Sequence, residues 1–424
     1  MPEYKRKKSH TGRRKRAVVK AEKPHKSFSL RLNEKKEEPD AVKENNIRVV
    51  RGKKDEKRKK LYIFLSVVAT VALILAIMSA VLPVGLFESA QDFVLSIGAG
   101  GFPAALSGNG AVNCVTKDRY YYVLTDTSIM AFSNEGKKIF SYVHGYAAPV
   151  LVTSQTRALL FDQGKSSAVI YNLAGVVKTL ESKHPIVAAD IAKDGEYALV
   201  TKSDAFAATI SVFDRKGESL YSINFAKDMV NNIDIASSGK KIAVSTVNTQ
   251  SGKAESSVRV YDFKSADPVY KLDLGQDMAY DIENTGSGFY VTTHNRTRYV
   301  KWSDYKTSEY SFEGEVSMLR YSGSGFLALY NKTNDKSDNT AALFSNSGDK
   351  ISEFEIKATV NDIRFSRGRV YAMGDNKVII YDKRGEVLRS GSCGFGGVKL
   401  AVTGSNTVCV ITDSLIEESV IKRG

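Results

Sequence analysis

Tryptophan occurs once in 424 residues, cysteine three times and histidine five times. With Cys114, Cys393 and Cys409 so scattered, neither a disulfide framework nor a cysteine zinc site can be read. Buried free thiols are expected instead. The histidines (His10, His25, His144, His184 and His294) show no ligand spacing. HExxH, GxSxG and GxxxxGK[ST] are all missing, so no motif names a reaction or a cofactor, and a non-enzymatic protein is expected. A propeller hydrolase or lactonase, whose site could be assembled from distant residues, is the enzymatic alternative.

Basic excess is missing from most of the chain as well. The net charge is +14, but residues 1–60 alone hold 23 Lys and Arg against 9 Asp and Glu, which leaves 38 of each sign for the rest. A body without net charge offers no basic groove to track phosphates, so no specific nucleic-acid partner is expected. The tail, with KRKK (5–8), RRKR (13–16) and KRKK (57–60), has too little apolar surface to offset its ordering entropy. It is read as a disordered cytoplasmic tail over 1–60 that contacts anionic lipid.

Directly after the tail comes the one long hydrophobic run, LYIFLSVVATVALILAIMSAVL, Leu61 to Leu82, without a charge. As a helix rising about 1.5 Å per residue it covers roughly 33 Å, enough to cross a bilayer. The basic block before it places its N-terminal end in the cytoplasm. The reading is a transmembrane helix over 61–82, a tether over 83–91 and an extracytoplasmic domain over 92–424.

That domain repeats itself. Seven turns align on an aromatic residue: Phe132, Tyr171, Phe213, Tyr261, Trp302, Phe344 and Tyr381, with spacings of 39, 42, 48, 41, 42 and 37 residues. The last reads IYDKRGEVL; Asp bonds nearby backbone and Gly supplies a positive φ. One unit offers AADIA (188–192), YALVT (197–201), TISVFD (209–214) and SLYSI (219–223), four short strands between turn residues. A period near 40 with four strands per unit predicts an all-β fold, a β-propeller. Seven units fill about 112–390, and VKLAV, TVCVI and a strand near Ile416 to Ile421 make a three-stranded remainder. Eight blades are expected, the last completed by a strand from the segment Asp92 to Leu106, with seven blades as the alternative.

The stretches GFPAALSGNG, VLTDTSIMAFSNEGKKIFSYVHGYAAPVL, LLFDQGKSSAVIYN and ADIAKDGEYALVTKSD resemble those of clostridial membrane-anchored propellers of unknown function. The resemblance runs from about Phe93 to the end, and the layout of basic tail and span agrees. It implies a Gram-positive envelope protein and carries no activity over to this chain. The likeness to WD-repeat and quinoprotein propellers is architectural only.

Aligned on the turn after each of them, the first strands of units three to five place Asp190, Asp234 and Asp281 in one column, continued by Arg320 and Arg364 in units six and seven. Three acids followed by two bases around a channel could bind a charged ligand or cation; alternatively, neighbouring blades could pair these charges with one another. GAGG, SGSG and CGFGG read as turns, and TNDKSDN (333–339) as a solvated loop without calcium-loop spacing. With NTQSGKAESS (248–257) it forms a pair of long polar tips on one rim, suited to partner contact. The functional expectation is a membrane-anchored binding or scaffolding module for a protein or cell-wall partner, with an envelope sensor as the alternative.

Overall fold

The computed structural model describes residues 58–70, 73, 84–250, 252–333, 335 and 337–422. The chain divides into two units, Met1–Val67 and Val68–Gly424. In the first, residues 58–67 are helical, with Leu61, Tyr62, Ile63, Phe64 and Leu65 exposed. The rest of the expected tail, residues 1–57, lies outside the described residues. Among the described residues no helix is long and apolar enough to cross a membrane. Of the segment 61–82 only 61–70 and 73 are described, all helical, and the remainder of the expected span lies outside the described residues.

The second unit contains eight four-stranded antiparallel sheets. Seven are consecutive in sequence, over 111–143, 149–181, 186–225, 229–275, 281–311, 315–357 and 362–392. The eighth joins Lys399–Val402, Thr407–Ile411 and Leu415–Val420 to a two-residue strand, Ala104–Ala105. Its register pairs Ala104 with Ile416 and Ala105 with Leu415. The protein is an eight-bladed all-β propeller.

Second strands read as unbroken apolar runs, such as Tyr120–Thr125 and Tyr197–Thr201, because both of their faces are covered by neighbouring blades. Fourth strands such as Lys138–Val143 are mostly exposed and form the outer wall. The interior is accordingly not one core. Each hydrophobic cluster bridges two adjacent blades, and one of them packs Cys114, Tyr121 and Phe132 of blade one against Cys409, Ile411 and Ile416 of blade eight. First strands of neighbouring blades contact one another around the centre. Cys114 and Cys409 are buried, Cys393 is half-buried, and all three are free thiols.

Strand alternation sorts the connections onto two faces. Turns between first and second strands, and between third and fourth, share a lower face that includes IYDKRGEVL. Turns between second and third strands, and the links between blades, share an upper face that includes both long polar hairpins.

The stretch before the propeller departs from the sequence reading. Val84–Ser96 is an α-helix, where a tether and the start of a strand were expected, and only Ala104 and Ala105 of the segment 92–106 pair as strand. The reason is in the spacing. Glu88 and Asp92, four apart, lie on one side of a helix, and both find partners on the lower face. Glu88 makes a bidentate ion pair with Arg157, 2.7 Å at its shortest, and accepts from the Thr156 hydroxyl. Asp92 accepts from the Tyr120 hydroxyl at 3.0 Å. Lys137 Nζ donates to the carbonyls of Leu95 and Ile97, holding the helix end.

Candidate functional site

The first strands of blades three to seven begin with a local irregularity that sets their register. The extra residue is Val187 in blade three, Asn231 in blade four and Ser317 in blade six. In blades five and seven Tyr280 and Asn361 take the same place, their amides donating to the partners of Asp281 and Asp362. Three residues further on, the side chains facing the channel are Asp190, Asp234, Glu283, Arg320 and Arg364.

The blade-five member of the column is therefore Glu283, and Asp281 lies one inward-facing step earlier, level with Asp362. Hydrogen bonds confirm the register. Asp190 accepts from the amide of Ile235 in the next blade, and Asp234 accepts from the amide of Asn284, each at 2.7 Å. Each of these amides follows the next blade's column residue. Asp-Ile recurs at 190–191, 234–235 and 281–282, but the third pair lies two residues out of step with the first two.

The two halves of the ring are satisfied differently. On the basic side a single carboxylate, Asp362, takes Arg320 at 2.6 Å, Arg364 at 2.8 Å and the amide of Leu400 at 2.8 Å. Burial works against its charge, but Arg364 and Arg320 outweigh burial and hold its pKa below the ordinary carboxylate value. Asp362 did not stand out in the sequence; the signal was an acid two residues before Arg364, on the same face of the strand.

On the acidic side, no ion pair is described for Asp190, Asp234, Asp281 or Glu283. They are enclosed by protein, and all but Asp234 keep some surface open to the channel. Burial pushes Asp190 up to about 6 against the amides of Ile235 and Ile191, and pushes Asp281 up to about 7. Asp234 is raised well above the usual range by burial and then by the charges of Asp190 and Glu283; Glu283 is raised by burial and by Asp281 and Asp190. One oxygen of Asp234, Oδ1, is buried without a hydrogen-bond partner.

Towards the lower face, Lys117 is a basic group whose charge acts on Glu283. It donates to Thr153 Oγ1 and to the Ser154 carbonyl, and burial lowers it to about 8 despite Glu283, Asp118 and Asp92. Among the described residues no group of three or more His, Cys, Asp or Glu is arranged to hold a metal ion.

At the upper mouth a cavity of about 480 Å³ is lined by Tyr280, Asp281, Met318, Arg320, Asn361 and Lys399. The blade starts and links around the upper face expose large apolar side chains: Val112, Met229, Met278, Tyr280 and Phe395, the last 86% exposed. Of these, Tyr280 also lines the cavity, and the two polar hairpins stand on the same face.

The profile of a family of unknown function, DUF5711, matches residues 109–421. The chain belongs to that family. None of the curated proteins matches the sequence. Among solved structures, it is similar to the computationally designed Ika8 protein, with TM-score 0.54 and 13% identity, over 76% of this chain and 98% of that one. It is similar also to the C-terminal WD40 domain of Sif2, with TM-score 0.52 and 11% identity, over 76% and 99%. BamB from Moraxella catarrhalis aligns with TM-score 0.48 and 11% identity, over 74% and 99%. At such identities the likeness is one of fold, and no residue role passes from these proteins to this DUF5711 member.

Proposed function

We propose that this DUF5711 protein is a non-enzymatic binding or scaffolding module of the bacterial cell envelope. In this reading it is held in the membrane by the span 61–82 with its basic tail in the cytoplasm, and the Ala104–Ala105 strand acts as the clasp of its ring. The observation that carries the binding role is the upper face, which exposes Phe395, Tyr280, Met278 and Met229 and opens a charged cavity that Tyr280 lines. Single apolar side chains on a surface need no explanation, but several on one face that also carries a charged cavity suit an interaction site. A rigid disc with variable loops suits such a role.

The test is photo-cross-linking in native membranes, with a cross-linking amino acid at Phe395 or, as a control on the outer wall, at Leu220. One dominant protein or cell-wall adduct at Phe395 that is absent at Leu220, and lost in Tyr280→Asp, is expected. Equal patterns at both positions would sink the reading.

A second reading, an envelope sensor for a cation or small ligand, is favoured by the unpartnered Asp234 Oδ1 within the acidic half of the channel. It requires stoichiometric ligand or metal in the purified protein, lost on Asp234→Ala.

A further inference from the structure

The helix Val84–Ser96 is amphipathic in the inverted sense. Its inner side carries Glu88, Asp92, Leu95 and Ser96. Glu88 is ion-paired to Arg157, Asp92 Oδ2 accepts from the Tyr120 hydroxyl while its Oδ1 is buried without a hydrogen-bond partner, and Ser96 bonds the helix's own turn. Its outer side carries Leu86, Phe87, Ala90, Phe93 and Val94, continued by Ile97 just past its end. Leu86 is 58% exposed, Val94 66% and Ile97 57%. At about 100° per residue these outer positions fall within one arc of roughly 120°, the width of a core-facing stripe. A water-facing helix places its charges outward; this one spends both carboxylates inward and turns its apolar stripe away from the protein.

From this we infer that the outer stripe of Val84–Ser96 is seated in the lipid interface of a membrane, the helix serving as a rigid mount for the propeller. Three observations select lipid over a second copy or another protein. The charge-free run Leu61 to Leu82 ends one residue before the helix begins, with only Pro83 between, so chain connectivity brings the bilayer to its N-terminus. The guanidinium of exposed Arg119 lies 4.5 Å from the centre of the Phe93 ring, which sets a cation beside the stripe where anionic headgroups would lie. The inward anchoring by Glu88, Asp92 and Lys137 fixes the stripe's direction, as an interfacial helix requires if it is to orient what it carries. Such helices sink their apolar face about 5–10 Å into the headgroup and acyl boundary. The lower face then lies against the membrane, and the upper mouth faces away.

The inference rests on the membrane reading of the proposed function, and the test separates the two. Full-length protein is reconstituted into phosphatidylglycerol and phosphatidylethanolamine vesicles with brominated acyl chains. Leu86→Trp and Val94→Trp are compared with Phe395→Trp and with the wild type, whose one tryptophan is Trp302. All four proteins should float with the vesicles, and only Leu86→Trp and Val94→Trp should lose most of their added fluorescence to the bromines. Flotation with no extra quenching at Leu86 and Val94 overturns the helix mount while the span stands. Failure to float overturns both. A Val94→Cys protein that forms disulfide-linked dimers while Val94→Trp stays unquenched would show a second copy on the stripe, and overturns it too.

Discussion

Arg157 and Glu88 meet in a bidentate ion pair that is 7–8% exposed on both side chains, and it joins the helix before the propeller to the second blade. Breaking a buried pair from one side leaves an uncompensated ion, at a cost of about 3–5 kcal/mol. Here the helix can peel away and let water reach Arg157, so Glu88→Gln should release the helix more than it unfolds the disc. The expected result is rapid proteolysis within 84–97, with a smaller fall in Tm. Intact protease resistance at the helix would contradict this account.

The two halves of the channel should respond to neutralisation with opposite signs. Asp362→Asn strips two guanidiniums of their shared carboxylate and should destabilise by about 3–5 kcal/mol, nearer the lower value because both arginines keep some channel surface. Asp234→Asn keeps an acceptor for the Asn284 amide and removes repulsion from Asp190 and Glu283. Its Tm near pH 8 should equal or exceed that of the wild type. Paired thermal melts decide the matter, and a large loss for both variants would show that the acidic half is held by partners that the geometry does not reveal.

Stability should also fall as pH rises through the neutral range. Asp190 and Asp281 have folded-state pKa values of about 6 and about 7, above their ordinary value of 3.8. Between those limits the folded protein holds more protons than the unfolded chain, so stability declines with pH. Their contribution is full below the unfolded value and is lost by about pH 7. Asp362, shifted the other way, gains its stabilisation above 3.8 and loses it only in stronger acid. Melts from pH 5 to 8 should show the decline, and Asp281→Asn should flatten it; a variant as steep as the wild type would rule Asp281 out as its source.

The common turn can be tested at Gly385. Its φ is +87°, and a Cβ there would run into the Phe354 ring. Gly385→Ala should therefore lose at least the roughly 1–2 kcal/mol of left-handed strain, seen as a lower urea midpoint with an unchanged m-value. A neutral effect would mean that the blade-six strand carrying Phe354 yields freely.

The repeat was legible because its chemistry is local. Asp382 Oδ1 accepts from the amides of Arg384 and Glu386, and Asp214 Oδ1 accepts from Lys216, Gly217 and Glu218, so turn residues recur wherever the backbone needs the same bonds. Two-sided burial of the second strands was legible for the same reason. The channel column was not, in blade five, because an Asp-Ile pair repeats on both inward-facing rows and only the irregularity at Tyr280 counts the register. The helix 84–96 escaped too: its outward stripe and inward charges defeat a pattern rule that assumes water outside. Asp362 emerged only when three dimensions set it between two arginines contributed by different blades.

Mechanical load offers another way to see the N-terminal segment. A pull on the chain from residue 84 first meets the Glu88–Arg157 pair, then Asp92 on Tyr120, then the Lys137 grip on the carbonyls of Leu95 and Ile97. Only beyond these does tension reach Ala104 and Ala105, whose two-residue pairing with Leu415 and Ile416 completes the eighth sheet. Under such a pull, load would enter blades one and two through these contacts before it reached the two-residue strand.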